Sequence, residues 1–296
     1  MRLDDSDNLN VEDQRGGNYS SAGIGGGGGL GLLGMLVPFV FSRFGCSGLA
    51  VLGVLFLLFG GLGSVGSLLS PSGTGVSPQQ QTQGGSSVAA SCAADAASRF
   101  SCNAVASVNA TWARLLPGYQ EPKLVFYSRA GQSGCGAAQS AMGPFYCPAD
   151  QGIYLDTTFY DELRSRFGAP GDFAQAYVIA HEVGHHIQAI TGTLARTQQA
   201  QARASRTEGN RIQVAVELQA DCYAGVWAYH NRDRLEPGDI EEGLRAAAAI
   251  GDDTLQREAG QRPMPDSFTH GTSAQRMQWL QRGLQSGDPN QCNTFG

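Results

Sequence analysis

The chain of 296 residues lacks several features that mark common protein classes. Its 20 basic residues are outnumbered by 26 acidic ones, and a net charge of −6 gives no sign of nucleic-acid binding. No two cysteines are spaced as CxxC, so a zinc site made of thiolates is not expected. We find no internal repeat. Histidine is scarce, with only five in the chain, yet three of them lie within six residues.

Charged residues are absent from two long stretches in the first third of the chain. Residues 44–65 are uncharged and mostly apolar, which is long enough to cross a bilayer. Residues 70–91 form an uncharged Ser/Gly/Gln/Pro tract that is typical of a flexible linker. We therefore predict a tail over 1–29, a membrane segment over 30–69 with one core span at 44–65, the linker at 70–91, and a domain over 92–296.

The distribution of basic residues predicts the orientation of this span. Arg2, Arg15 and Arg43 precede it, and no basic residue follows it before Arg99. The positive-inside tendency then places the N-terminal tail in the cytoplasm and the domain on the outside of a single-pass plasma or inner membrane. Several acidic residues share the tail, but acidic residues count for little in this rule.

Six of the seven cysteines lie beyond the predicted span, and this even number suits disulfide formation in an oxidising compartment. Six cysteines allow about fifteen pairings, which sequence alone does not resolve. We favour two pairs that are local in sequence and a third that would hold the C-terminal tail on a helix: Cys92–Cys102, Cys135–Cys147 and Cys222–Cys292.

The segment from His181 to His185 reads HExxH. On a helix, residues four apart lie on one face, so both imidazoles can point at one metal ion while Glu182 reaches a water there. Asp172 as N-cap and Gly192 after the C-terminus bound an apolar run that predicts such a helix. The pattern indicates half of a zinc site, although two histidines that merely satisfy each other in a buried helix remain an alternative.

A third ligand is available downstream, in a helix predicted from about Asn210 to Tyr229. Glu217 and Asp221 are four residues apart within an otherwise apolar run, where a buried carboxylate needs a partner or a metal. Glu217 completes a His₂Glu set, and Asp221 can accept the free ring N–H of a ligating histidine. The alternative is that both acids face solvent or an arginine such as Arg211.

Several sequence blocks together resemble the bacterial membrane-anchored neutral zinc metallopeptidases: HEVGHHIQ, ELQADCYAGVWA, SFTHGTSAQRMQWL, GCGAAQSAMGPFYCPADQGIYLD, NVED near the start and CNTF at the end. The order HExxH, ExxxD and Thr-His also resembles compact gluzincins. The resemblance implies a zincin-like metalloprotease domain that binds Zn²⁺ through His181, His185 and Glu217. It further implies that Asp221 is the supporting acid and that His270 steadies the oxyanion.

His270 directly precedes Gly271 and Thr272 at a predicted helix start, where its side chain can donate to a developing negative charge. A surface histidine without a role is the alternative, and Tyr177 and Tyr223 are alternative donors. His186 points away from the HExxH face, so we expect it to be packed rather than a metal ligand.

The remaining patterns predict an α+β fold that is mostly helical with a small antiparallel sheet. Short strands are predicted in Lys123–Ser128, Gly143–Cys147 and Gly152–Asp156. Further helices are predicted over Ala93–Leu115, Asp239–Ile250 and Thr272–Ser286. An exposed edge of the sheet would bind an extended peptide by strand addition.

The function expected from these features is a membrane-anchored zinc endopeptidase that cleaves a peptide or protein substrate, with Glu182 as the general base. One alternative is a membrane-anchored binding or scaffold protein that retains the zinc fold without turnover. The intact Glu182 argues against that alternative. A zinc hydrolase acting on something other than peptides is a third possibility.

Overall fold

The computed structural model describes residues 1–6, 8–17, 87–165, 168, 169 and 171–295, and all structural statements below concern these residues. The α-helices are α1 (Val88–Cys92), α2 (Ala96–Leu115), α3 (Phe159–Ser165), α4 (Asp172–Ile190), α5 (Thr193–Gln201), α6 (Arg206–His230), α7 (Asp239–Ala249), α8 (Asp252–Glu258) and α9 (Ser273–Ser286). The strands are β1 (Val11–Asp13), β2 (Lys123–Phe126), β3 (Ala130–Ser133), β4 (Gly136–Gln139), β5 (Phe145–Cys147) and β6 (Gly152–Leu155).

Helix α4 carries the HExxH segment in its second half, as predicted. Gly171 is its N-cap, so the predicted cap Asp172 is instead the first helical residue, where its negative charge favours the helix dipole. The helix ends at Ile190 with Thr191 as its C-cap, and Gly192 follows with a φ of 74°, the left-handed conformation that glycine adopts without strain. The predicted helix is confirmed, with its N-terminus shifted by one residue.

Helix α6 packs against α4 on one side and α9 on the other, and the second contact brings two backbones together. A Cβ atom on Gly283 of α9 would lie 2.0 Å from the carbonyl oxygen of Cys222, and one on Gly225 of α6 would lie 2.2 Å from that of Leu280. Only glycine fits at this crossing. The N-cap of α9 is Thr272, which forms the predicted capping box with Gln275.

The main sheet has the strand order β1-β2-β6-β5, and β3 pairs with β4 in a separate hairpin. The prediction of an antiparallel sheet is wrong for most of it, because β1 and β6 both run parallel to β2 and only β5 is antiparallel to β6. Residues 127–151 contain the β3–β4 hairpin and β5, and they return the chain so that β6 starts beside the start of β2.

The first residues of the chain belong to the same compact unit as the C-terminal part. This unit consists of Met1–Tyr19 and Gly85–Gly296. Strand β1 supplies an outer strand, in which the Leu124 N–H donates to the Asn10 carbonyl at 2.9 Å. The expected separate tail over 1–29 therefore differs from the structure, because the main chain around Val11 satisfies its hydrogen bonds on β2.

The predicted core span at 44–65 lies outside the described residues. Across the described ranges, no helix combines the length and the apolar character needed to cross a bilayer. The predicted flexible linker at 70–91 is described only from residue 87, and there Val88–Cys92 forms a short helix. All three favoured disulfides are present: Cys92–Cys102, Cys135–Cys147 and Cys222–Cys292.

Candidate metal centre

Three predicted ligands meet where α4 crosses α6. His181 and His185 lie on one face of α4, and Glu217 of α6 faces them, so that one ligand atom from each lies within 4.8 Å of the others. The Oε2 atom of Glu217 is 3.2 Å from Nε2 of His181 and 3.5 Å from Nε2 of His185. Gln213, one turn earlier on α6, donates to the other oxygen, Oε1, at 3.0 Å. This bond leaves Oε2 directed at the histidines.

Asp221 orients the first histidine. Its Oδ1 atom lies 2.8 Å from Nδ1 of His181. A carboxylate accepts only, so Nδ1 carries the proton and Nε2 faces the space shared with Glu217. Two imidazole nitrogens and one carboxylate oxygen are the donor set of a catalytic zinc site with an open position. The residues present therefore fit zinc.

The charges of these groups depend on one another. Burial raises the pKa of Glu217, but the positive charge on His185 and the hydrogen bond from His181 outweigh it and leave the pKa well below its ordinary value. Burial lowers the pKa of His181, yet the charge and hydrogen bond of Asp221 raise it to about 10.

Arg276 of α9 belongs to this site but is not among the residues predicted from the sequence. Its guanidinium donates to both oxygens of Asp221 and is itself only 2% exposed. Burial raises the pKa of Asp221, but Arg276 and then His181 lower it to about 2. A signal was available, since Arg276 shares the buried face of α9 with Leu280 and Gly283. An arginine in that stripe requires a buried acid as its partner.

Glu182 lies beside the ligands on a cavity of about 610 Å³. Its side chain is buried, and burial raises its pKa, with the positive charges of His185 and His181 opposing the change. A carboxyl group of raised pKa at a cavity wall can both accept and return a proton. This is the position that the HExxH spacing predicts.

His270 lines the same cavity, at the loop before α9. Its side chain is 49% exposed, and Asp252 holds the loop by accepting the His270 backbone N–H at 2.6 Å and contacting the ring Nδ1 at 3.2 Å. Of the alternative donors, Tyr177 also lines the cavity, but its hydroxyl donates to Asp221 at 2.6 Å. Tyr223 packs against Trp112 and is not among the residues lining this cavity.

His186 is packed, as predicted, and is not part of the cluster. It is fully buried, its Nε2–H donates to the carbonyl of Gln120 at 2.6 Å, and its Nδ1 lies 3.1 Å from the hydroxyl of Tyr146. Burial lowers its pKa. Arg211, the alternative partner for the acids, pairs instead with Glu208 and Asp266.

The lining of the cavity includes residues of β5 and of the segments next to it in the chain. Its apolar and aromatic members are Met142, Pro144, Phe145, Tyr146, Pro148 and Phe159. Helix α5 contributes Leu194, Thr197, Gln198 and Gln201. Strand β5 is at the end of the strand order, so within the part of the chain that the structure describes its outer side pairs with no other strand.

Comparison with known proteins agrees with this geometry. The family described as "Putative neutral zinc metallopeptidase" matches residues 2–295. The chain belongs to that family. It is 53% identical to "Uncharacterized protein YpfJ" of Escherichia coli K12 over 208 residues, 68% of this chain and 72% of that protein. It is 45% identical to "Uncharacterized protein Rv2575" of Mycobacterium tuberculosis H37Rv over 218 residues, 68% of this chain and 73% of that protein. No solved structure matches it.

Membership in this family indicates a zinc-dependent protease, and the family name implies a zinc ion. The chain supplies a cluster able to bind that ion, made of His181, His185 and Glu217. A second cluster of potential metal ligands, Asp172, Asp239 and Glu242, lies elsewhere. There the amino group of Met1 is 2.9 Å from Asp172 and 3.2 Å from Asp239, so a positive charge already faces these acids.

Proposed function

We propose that this protein is a zinc-dependent endopeptidase in which Glu182 transfers the proton. The observation that carries the proposal is the position of Glu182. It is a buried carboxyl group of raised pKa that lines a cavity together with His181, His185 and Glu217. A carboxyl group without a chemical role has little reason to be retained at such a place, because its ionisation is opposed by burial.

His181, His185 and Glu217 would hold the zinc ion. When bound, zinc supplies a water of lowered pKa and polarises the carbonyl of the scissile peptide. Asp221 keeps the proton of His181 on Nδ1, and Gln213 keeps the Glu217 carboxylate turned toward the histidines. These contacts preorganise the ligands before the ion arrives.

Glu182 then acts twice. It takes a proton from the water as that water's oxygen bonds to the carbonyl carbon, and it gives the proton to the amine nitrogen as the C–N bond breaks. The raised pKa suits this exchange, because a group must hold the proton between the two steps. His270, on the same cavity, is our candidate for donating to the negative charge that develops on the carbonyl oxygen.

The substrate we propose is an extended peptide or protein segment. Strand β5 is an edge strand, and its residues Phe145 and Tyr146 line the cavity. A peptide added to this edge would satisfy its main-chain hydrogen bonds on β5 and place a carbonyl near Glu182. The aromatic and proline residues of this wall favour apolar side chains in the substrate.

We also propose attachment to a membrane through residues 44–65, which the length and composition of that segment support. Because β1 pairs with β2, Met1–Tyr19 and Gly85–Gly296 must lie on the same side of a bilayer. A single crossing would place them on opposite sides of the bilayer. We therefore propose that the chain enters and leaves the bilayer on the same face. The three disulfides support an oxidising compartment, the periplasm or the exterior of a bacterium.

This topology is tested with two epitope tags, one inserted after Gly17 and one at the C-terminus. In intact spheroplasts, both tags should be equally accessible to antibody. If antibody reached only the C-terminal tag, the chain would cross the membrane once, as the sequence analysis predicts.

The enzymatic proposal is tested by incubating the zinc-loaded full chain with an unfolded protein such as casein, beside its Glu182→Gln variant. The wild type should produce fragments and the variant should not, although both contain zinc. Equal cleavage by the two proteins would remove Glu182 from the mechanism. No cleavage by either would favour a binding or scaffold role.

A further inference from the structure

His185, the second of the two histidines, is oriented by a neutral side chain rather than by a carboxylate. Its Nδ1 atom lies 2.9 Å from Oε1 of Gln188, three residues along α4. The amide nitrogen of Gln188 is 2.8 Å from the carbonyl oxygen of Val216, and a carbonyl only accepts. This contact fixes which end of the amide is nitrogen. Oε1 must therefore face His185 and accept the Nδ1 proton, which leaves Nε2 of His185 free to bind an ion.

The amide of Gln188 is also hydrogen-bonded to a second buried amide, that of Gln219. The nitrogen of Gln188 also donates to Oε1 of Gln219 at 3.0 Å, and the nitrogen of Gln219 donates to the carbonyl of Cys292 at 2.9 Å. Gln188 is fully buried, Gln219 is 7% exposed, and Cys292 is fully buried. The Cys292 carbonyl only accepts, so the nitrogen of Gln219 faces it and Oε1 of Gln219 faces Gln188, which gives this series of hydrogen bonds one arrangement only.

Cys292 is held in place by its disulfide to Cys222 of α6. The hydroxyl of Thr294 adds a hydrogen bond to the carbonyl of Ala215 at 2.6 Å, also on α6. The carbonyl at which the chain of amides ends is therefore fixed to the helix that carries Glu217. Cys292 and the second histidine are thus connected through the side chains of two buried glutamines.

We propose that Gln188 and Gln219 are positioning residues for His185, and that the Cys222–Cys292 disulfide anchors them. The proposal rests on the proposed metal site. It explains why two glutamines with long, flexible side chains are buried beside a histidine. Two polar groups that fix a tautomer raise the affinity of the ligand for its ion, whereas apolar side chains of the same size would fill the space without doing so.

The test is the zinc affinity of the full chain, measured by competition with a chromophoric chelator. Gln188→Met keeps the size of the side chain and removes the acceptor, so zinc should bind about 10 to 100 times more weakly. Gln188→Glu, protonated at this buried position, accepts from Nδ1 with one oxygen and donates to the Val216 carbonyl with the other, so it should restore most of the affinity. Gln281→Met, at an exposed position of α9, is the control and should bind zinc as the wild type does.

Wild-type affinity in Gln188→Met would overturn the proposal. Equal losses in Gln188→Met and Gln188→Glu would also overturn it, because the acceptor would then be irrelevant and the role merely structural. If Gln188→Met fails to fold, Gln219→Met replaces it in the test, because it removes the next hydrogen bond in the series that begins at His185. It should weaken zinc binding by a smaller factor, and an unchanged affinity would contradict the proposal.

The anchor is tested with the double variant Cys222→Ala/Cys292→Ala, which should bind zinc more weakly than the wild type but more tightly than Gln188→Met. Affinity equal to that of the wild type would remove the disulfide from the proposal. These outcomes are separate from those of the enzymatic proposal. A wild type that binds no zinc refutes the metal site itself, whereas a wild type that binds zinc and cleaves casein leaves only the role of the glutamines in question.

Discussion

Arg276 and Asp221 form a bidentate ion pair in the interior of the protein. Nε of Arg276 lies 2.9 Å from Oδ2 of Asp221, Nη2 lies 2.8 Å from Oδ1, and the two side chains are 2% and 0% exposed. The same Oδ1 atom contacts His181 and accepts from Tyr177. One buried carboxylate thus links α9, α6 and the first proposed ligand on α4, so the integrity of the site depends on three helices.

Breaking this pair should destabilise the protein strongly. Arg276→Met leaves the Asp221 charge buried without its main partner, and the free energy of unfolding should fall by about 3–5 kcal/mol. Arg257→Met, which removes the exposed partner of Asp253, is the control and should change it by less than about 1 kcal/mol. Denaturant unfolding of the metal-free protein measures both. Similar changes in the free energy of unfolding for the two variants would show that the buried pair stabilises the protein no more than an exposed one.

The ligand assignment predicts a division between binding and chemistry. His181→Ala and Glu217→Ala each remove a proposed ligand and should abolish stoichiometric zinc after gel filtration. Glu182→Gln should keep it, because Glu182 is not a proposed ligand. Elemental analysis of the purified variants measures this directly. Loss of zinc from Glu182→Gln together with its retention in Glu217→Ala would exchange the roles of the two acids.

Zinc binding should release protons. In the metal-free protein, burial lowers the pKa of His181, but Asp221 and the hydrogen bond to Glu217 together raise it to about 10, so this histidine is protonated at neutral pH. Zinc must displace that proton. Its apparent affinity should therefore rise with pH, by about tenfold per unit for each proton released, up to pH values near 10. Titration calorimetry in buffers of different ionisation enthalpy counts the protons. An affinity that is constant between pH 6.5 and 8 would contradict the assignment.

The α6–α9 crossing predicts a sharp difference between two glycines. Gly283→Ala places a Cβ 2.0 Å from the Cys222 carbonyl, which forces the helices apart and should lower the free energy of unfolding by several kcal/mol. Gly209→Ala, on the same α6 helix, meets nothing within 4 Å and should stabilise by about 1 kcal/mol or less, as alanine favours helices. Thermal unfolding compares the two. A tolerated Gly283→Ala would mean that α9 is free to shift.

The elements with strong local patterns are those that the sequence predicts best. Helix α4, the capping box at Thr272 and the start of α7 near Asp239 follow from apolar spacing and N-terminal signals within a few residues. The same holds for the facing pair of His181 and His185, because four-residue spacing on a helix fixes their common side. Local chemistry is sufficient for these features.

Features that depend on distant residues were beyond such patterns. Strand β1 is three residues long and pairs with a strand more than a hundred residues later, so nothing near Val11 indicates that pairing. The parallel pairing of β2 with β6 also depends on the path of residues 127–151 between them, and the sequences of the two strands do not indicate it. The sequence offers a ligating histidine or an arginine such as Arg211 as partners of Asp221, and only the packing of α9 shows that Arg276 is the arginine.

The most direct test of the central claim is peptide hydrolysis in water enriched in ¹⁸O. The zinc-loaded wild type and Glu182→Gln are each incubated with casein, and new C-termini are analysed by mass spectrometry. We predict that the wild type forms fragments with ¹⁸O in their new carboxyl groups and that the variant forms none. Fragments of the same kind and amount from both proteins, or none from a wild type shown to contain zinc, would contradict a Glu182-dependent zinc peptidase.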